Sequence, residues 1–134
     1  GQLSQLQELW LHENSLTGTI PGELGQLSQL GLLILGNTSL SGTIPGELGK
    51  LSQLEYLGLY GNSLSGTIPG ELGQLSQLTY LNLYGNHLTG ISKAFCNLPL
   101  SFFEQGDCDL GSNEFVCPLP VCAHDPSNCA TTCH

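Results

Sequence analysis

A stretch of 16 residues occurs three times in this chain with almost no change. The copies SLTGTIPGELGQLSQL, SLSGTIPGELGKLSQL and SLSGTIPGELGQLSQL begin at Ser15, Ser39 and Ser63, so their starts are 24 residues apart. A fixed period of this length is the signature of a solenoid, in which each repeat packs mainly against its neighbours. Between the copies lies a short window whose sequence changes. A constant framework with one variable surface is typical of a recognition scaffold.

Leucines at constant positions predict a short strand in each repeat. In the first repeat, Leu9 and Leu11 stand two residues apart, the spacing at which strand side chains point to the same face. Strands of neighbouring repeats are then expected to form a parallel sheet with its leucines inward. This pair recurs in every repeat, together with a third leucine three residues before its first member. The three leucines are Leu6, Leu9, Leu11; Leu30, Leu33, Leu35; Leu54, Leu57, Leu59; and Leu78, Leu81, Leu83.

An asparagine follows each predicted strand except one. Its side-chain amide can bond backbone groups that are left unpaired where the chain turns inward. Repeat two carries Thr38 at this position and Asn37 one residue early, which predicts an interruption of the amide ladder. The expected ladder residues are Asn14, Asn62, Asn86 and Asn113.

A turn is predicted after the ladder position, where glycine and then proline recur. The segment P-G-E-L-G that follows is too short and too rich in glycine for a long helix. A 3₁₀ turn or a single helical turn is expected there.

These residues together resemble the plant-type leucine-rich repeat, written LxxLxxLxLxxNxLSGxIPxxLGxL. The match covers residues 1–91. The resemblance implies an α/β repeat solenoid with a parallel sheet on its concave face and short 3₁₀ or helical turns on its convex side. It also implies a second short strand at the S/T-G-T-I-P segments.

Residues 92–134 are predicted to form a divergent fifth repeat and a C-terminal cap. The segment CDLGSNEFVCPLP restates the repeat, with Cys108 and Leu110 at strand leucine positions and Asn113 at the ladder position. One deletion after Gly90 brings Phe95 to a core position. A solenoid end exposes a slice of apolar core, and large aromatic residues can cover it. The region resembles the Cys-rich caps of extracellular leucine-rich repeat proteins.

All six cysteines lie in this last part of the chain. An even count confined to one segment of a short acidic chain favours disulfides and an oxidising compartment. Three bridges allow 15 connectivities, and the sequence does not choose among them. A zinc site is disfavoured because the spacings do not form paired C-x₂-C arrangements. The predicted disulfide residues are Cys96, Cys108, Cys117, Cys122, Cys129 and Cys133.

The composition excludes several classes of partner. The formal charge is -9, and Lys50 and Lys93 are the only basic residues apart from histidine. Nucleic acid and anionic membranes both require clustered Lys and Arg, so neither is an expected partner. No run of apolar residues is long enough to span a membrane. We expect a mature or truncated extracellular chain, because it begins within a repeat and no signal peptide is recognised.

The variable windows define a predicted binding face on the concave side. Side chains beside the inward leucines point to this face, and the face collects the only Trp and all four Tyr of the chain. Tyr56, Tyr60, Tyr80 and Tyr84 are expected to form a compact two-by-two patch, because residues 24 apart are neighbours across the sheet. The candidate ligand-binding residues are Glu8, Trp10, His12, Leu32, Ile34, Tyr56, Tyr60, Tyr80, Asn82, Tyr84, Asp107 and Asp109.

Two interpretations of the aromatic residues stay open. Tyr and Trp are enriched in binding hot spots, which favours a ligand site. Tyr also has a high strand propensity, so the rings could serve only to cover the sheet. Because the face is acidic, a neutral or basic partner is favoured over an acidic one.

Three other motifs are weaker indications of function. Asn37-Thr38-Ser39 is an N-glycosylation sequon, which makes Asn37 a candidate glycosylation site. A calcium loop near Asp109 is disfavoured, because Ser112 and Pro118 occupy positions that an EF-hand gives to Gly and Glu. Thr19, Thr43 and Thr67 recur as they would in an ice-binding solenoid, but the ordinary repeat framework explains them.

We therefore predict a binding module without catalytic residues, metal or cofactor. Its expected partner is a protein, peptide or glycan, and the alternative is a structural component of an extracellular wall, sheath or filament. An enzyme or enzyme inhibitor is the least favoured class. The first repeat has no cap before it, so self-association or a longer array through this end is also expected.

Overall fold

The computed structural model describes residues 3–99 and 108–120, and they form two parallel sheets. The first has five strands in the order β1-β3-β5-β7-β9 and the second has four in the order β2-β4-β6-β8. The first sheet contains β1 (Glu8–Trp10), β3 (Leu32–Ile34), β5 (Tyr56–Gly58), β7 (Tyr80–Asn82) and β9 (Cys108–Asp109). The second contains β2 (Thr17–Thr19), β4 (Ser39–Gly42), β6 (Ser63–Ile68) and β8 (His87–Ile91). The predicted solenoid and its second strand in each repeat are thereby confirmed.

The recurring leucines form one continuous core between the two sheets and the turns. Leu33, Leu57 and Leu81 are paired across the first sheet and are fully buried. Phe95 is also fully buried, as the deletion after Gly90 predicted. Burial of a side chain of this size stabilises a fold by about 1.5–3 kcal/mol, so the aligned leucines supply the main favourable term.

Short 3₁₀ helices connect the second sheet to the first, as expected. They span Gly22–Gln26, Gly46–Lys50, Gly70–Gln74 and Lys93–Asn97. A glycine is required in each of the first three, because a Cβ on Gly25, Gly49 or Gly73 would collide with a backbone carbonyl of the next repeat. The framework glycines therefore let the turns of neighbouring repeats approach closely.

The asparagine ladder joins each repeat from the third onward to the one before it. Asn86 Nδ2 donates to the carbonyl of Leu83 in its own repeat (3.1 Å) and to that of Leu59 in the previous repeat (3.0 Å). Asn86 Oδ1 accepts the N–H of Leu64 (3.0 Å). Asn62 and Asn113 make the same set of bonds, and all three are buried.

The predicted interruption of the ladder at repeat two is confirmed. The Thr38 hydroxyl lies 3.2 Å from the Leu35 carbonyl and 2.6 Å from Asn62 Oδ1, so it contacts its own and the following repeat. Asn14 in repeat one bonds only the carbonyls of Leu11 and His12, close to it in sequence. Among the described bonds, none from an asparagine side chain joins repeats one and two.

The divergent fifth repeat continues the first sheet. Cys108 pairs with Leu81 and Asp109 with Asn82, and Phe115 and Leu110 are fully buried. Cys96, Cys108 and Cys117 are disulfide-bonded. Cys122, Cys129 and Cys133 lie outside the described residues, so the three-bridge cap and the division at residue 91 stay predictions. None of the described helices is long and apolar enough to cross a membrane.

Candidate recognition surface

The outward side chains of the five-stranded sheet, with those of the residues just before and after its strands, form what we call the recognition face. Every strand contributes the same positions, so side chains one repeat apart are neighbours. Leu32 lies beside Tyr56, which lies beside Tyr80. Parallel strands are about 4.8 Å apart, so a side chain here contacts its lateral neighbour directly.

Tyr56 and Tyr80 form the centre of the recognition face. Their rings are stacked, with centroids 3.9 Å apart and planes within 8° of parallel. Burial, and then a side-chain hydrogen bond with Tyr80, raises the pKa of Tyr56 well above its ordinary value. Since Tyr80 covers one face of the Tyr56 ring, the other face is directed toward repeat two.

Tyr60 and Tyr84 do not complete the predicted two-by-two patch. The Tyr60 ring lies over Gly36, where a Cβ would collide with it, and it also flanks Gly58. The Tyr84 ring lies toward the other end of the sheet, with Cδ2 3.3 Å from the place of a Cβ on Gly111. Each ring leans over a glycine, where no side chain occupies the space. Because Gly36 is in repeat two and Gly111 is in repeat five, the two rings lean in opposite directions.

Repeat one contributes a tryptophan held by a carboxylate. Trp10 Nε1 donates to Glu8 Oε2 (3.0 Å), and the Trp10 ring meets the His12 ring edge to face at 6.0 Å. Trp10 is 52% exposed, and Tyr84 at the other end of the face is 48% exposed. Two large aromatic side chains are therefore available to a partner at opposite ends.

Three other predicted residues have structural roles on this face. Ile34 is buried between Trp10 and Gly58, so it supports the face rather than contacting a ligand. Asn82 Oδ1 accepts the N–H of Tyr84 (3.0 Å), and Asp109 Oδ1 accepts that of Gly111 (2.9 Å). Both side chains thus brace the backbone where the strand ends.

A trench of about 460 Å³ crosses the face at repeat two. Leu32 and Gly31 lie in it, and Glu8 and Tyr56 line it from the neighbouring repeats. Its other lining residues are Gln7, Gln29, Gln53, Glu55 and Thr79. The sequence contains a signal for this trench, since Gly31 occupies the position that Gln7, Glu55 and Thr79 have in the other repeats. Gly31 is not among the predicted ligand-binding residues.

The recognition face carries no Lys or Arg side chain. Lys50 and Lys93, the only Lys or Arg residues of the chain, both lie in 3₁₀ helices away from the strands of the first sheet. Glu8 and Glu55 are both exposed on the face. Apart from histidine, the charged side chains on the described part of this face are therefore all carboxylates.

The remaining sequence candidates lie elsewhere. Asn37 is exposed and follows β3 by three residues in a left-handed conformation (φ 51°), so its sequon is accessible. Asp107 lies outside the described residues. In the described ranges, no group of three His, Cys, Asp or Glu side chains could hold a metal ion.

The second sheet exposes hydroxyl groups and no charge on β2, β4 and β6. Thr19, Thr43 and Thr67 are all exposed, but they are not directly opposite one another, because Thr19 pairs with Ser41. The Thr19 methyl instead lies next to Gly42. This packing is a structural reason for threonine at the position.

Two family models, both for the leucine rich repeat, match residues 29–88 and 5–27. A search of the curated proteins finds no significant match. Among solved structures, the ectodomain of the Arabidopsis thaliana receptor kinase GASSHO1/SCHENGEN3, in complex with CASPARIAN STRIP INTEGRITY FACTOR 2, is 35% identical with a TM-score of 0.82. That match covers 97% of this chain and 15% of the receptor chain.

Two further structures are similar at comparable identity. The Arabidopsis receptor kinase HAESA, in complex with the peptide hormone IDA and the co-receptor SERK1, is 33% identical over 99% of this chain and 23% of its own, with a TM-score of 0.83. A plant ice-binding protein is 39% identical over 83% of this chain and 35% of its own, with a TM-score of 0.71. The chain thus spans far less than two thirds of these proteins.

Proposed function

We propose that this chain, which belongs to the leucine-rich repeat family, is a recognition module that binds a protein or peptide on its recognition face. One observation carries the proposal: the outward face of the first sheet holds exposed Trp10 in repeat one, exposed Tyr84 in repeat four, the Tyr56–Tyr80 stack, and no Lys or Arg side chain. Stiff aromatic rings with a polar atom are the most frequent hot-spot residues of interfaces.

The similar receptor structures support this assignment. GASSHO1/SCHENGEN3 and HAESA were both solved with a binding partner, and for HAESA the partners are a peptide hormone and a co-receptor. By analogy we assign the chain to the extracellular space, with plant-type repeats over residues 1–91 and a disulfide-bonded cap over residues 92–134. Binding rather than catalysis is proposed, because the described part of the face presents no nucleophile paired with a base.

Peptides selected from a random phage-displayed library against the folded chain would test the proposal. Tyr60→Ala is expected to weaken the selected peptides by at least about 1 kcal/mol, because the ring lies on the face and away from the leucine core. Glu23→Ala, an exposed change on a 3₁₀ helix, is the matched control and should leave affinity unchanged. If Tyr60→Ala lowers thermal stability and leaves affinity intact, the aromatic residues only cover the sheet and the structural-component alternative is favoured.

A second candidate function, ice binding, is supported by the second sheet. Its strands β2, β4 and β6 expose Ser and Thr hydroxyls without charge, and the chain is 39% identical to a plant ice-binding protein over 83% of its length. Inhibition of ice recrystallisation by the purified chain tests this candidate. Thr43→Lys should abolish the inhibition, whereas Tyr60→Ala should not affect it; no inhibition by the unmodified chain rules the candidate out.

A further inference from the structure

The trench at repeat two exists because one face position has no side chain. Gly31 stands at the position that Gln7, Glu55 and Thr79 occupy in the other repeats. The walls are the side chains of repeats one and three, so strands β1 and β5 are about 10 Å apart on either side of it. The gap is wide enough for one extended side chain of a partner.

The fold itself does not require glycine at position 31. A Cβ there would be 3.6 Å from the Gln53 carbonyl oxygen and 3.7 Å from that of Gln7, which is ordinary van der Waals contact. Gly31 is also not among the glycines with a positive φ. At Gly25 and Gly49, in contrast, a Cβ would collide with the backbone. Neither sterics nor backbone conformation therefore explains why the position is empty.

The chemistry of the trench matches a long cationic side chain. Leu32 offers an apolar surface for its methylene groups, and Glu8 and Glu55 offer carboxylates from opposite walls. Glu8 Oε2 accepts a hydrogen bond from Trp10 Nε1, so Glu8 Oε1 can accept a further hydrogen bond. Tyr56 also lines the trench, and a cation within about 6 Å of a tyrosine ring is attracted to it.

We propose that this trench is a subsite for one lysine or arginine side chain of a bound peptide, an inference that rests on the proposed function of the recognition face. The two carboxylates disfavour an anionic group by repulsion, and no Lys or Arg of the chain lies on this face to compete. A bound calcium ion fits less well, because Ca²⁺ sites are built mainly from carboxylates and no group of three His, Cys, Asp or Glu side chains in the described residues could hold a metal ion.

The same peptide selection tests the subsite separately from the face. Selected peptides should share a Lys or Arg at one position, and replacing that residue by Ala should weaken binding by about tenfold or more, as expected for a charge-assisted bond. Gly31→Arg fills the trench with a cation of the chain itself and should reduce binding by a similar factor. Gln26→Arg adds the same cation at an exposed position on a 3₁₀ helix away from the face, and as the matched control it should bind as the unmodified chain does.

The exposed Glu55→Gln change keeps the shape and removes the charge, so it tests the subsite even if Gly31→Arg fails to fold. It should weaken peptides that carry the basic residue and leave their Ala versions unaffected. Peptides that lose affinity with Tyr60→Ala but have no shared basic residue and bind Glu55→Gln equally would overturn the subsite and leave the proposed function standing. A selection without binders, or with binders indifferent to every change on the face, would overturn both.

Discussion

The asparagine ladder gives the fold its most specific stability prediction, for the change Asn86→Ala. The side chain is 4% exposed and makes three hydrogen bonds, with the N–H of Leu64 and the carbonyls of Leu59 and Leu83. Both carbonyls keep another partner, Asn62 and Asn113 respectively. The Leu64 N–H would lose the acceptor that the ladder provides.

The expected loss of stability follows from this difference between the N–H, which loses its acceptor, and the two carbonyls, which keep a donor. A buried donor without a partner costs about 1–3 kcal/mol, and each of the two lost carbonyl bonds adds about 0.5 kcal/mol. Asn86→Ala should therefore lower the free energy of unfolding by about 3 kcal/mol. The same change at Asn14 should cost less than about 1 kcal/mol, because this residue is exposed and bonds only nearby carbonyls that water can reach.

Urea unfolding monitored by circular dichroism measures both values. In the opposite direction, Thr38→Asn should raise the free energy of unfolding by about 1 kcal/mol, because it restores the ladder position between repeats one and two. The reasoning is refuted if Asn14→Ala destabilises the chain as much as Asn86→Ala does. It is also refuted if Asn86→Ala leaves the urea midpoint unchanged.

Three further predictions concern a turn, a titration and the cap. Gly49→Ala should lower the melting temperature far more than Gly31→Ala, since only the first Cβ collides with a backbone carbonyl. Because the pKa of Tyr56 is raised, the folded state keeps a proton that the unfolded chain releases above about pH 10. The free energy of unfolding should therefore fall as pH rises above this value, and it should fall less in Tyr56→Phe. An equal fall of the urea midpoint in both proteins would contradict this prediction. Complete reduction should add about 6 Da to the intact mass if all six cysteines form disulfides, and a smaller gain would show free thiols.

The period in the sequence was sufficient to predict most of the fold. Leu33, Leu57 and Leu81 recur at one position, and a recurring residue in a solenoid meets nearly the same environment each time because each repeat contacts mainly its neighbours. For the same reason a single departure from the pattern, Thr38 in place of Asn, predicted where the ladder is interrupted. Allowing for one deleted residue after Gly90 was also sufficient to predict that Phe95 lies in the core.

The arrangement of the recognition face was decided only by the tertiary structure. The sequence identified which positions face outward, but Tyr60 and Tyr84 lean apart because Gly36 and Gly111 leave space beside them. Ile34 faces outward in the pattern and is nevertheless buried by the neighbouring repeats. The direction and exposure of a side chain depend on the volume of its lateral neighbours, which lie about one repeat away in sequence, and a rule that treats each repeat alone does not contain that information.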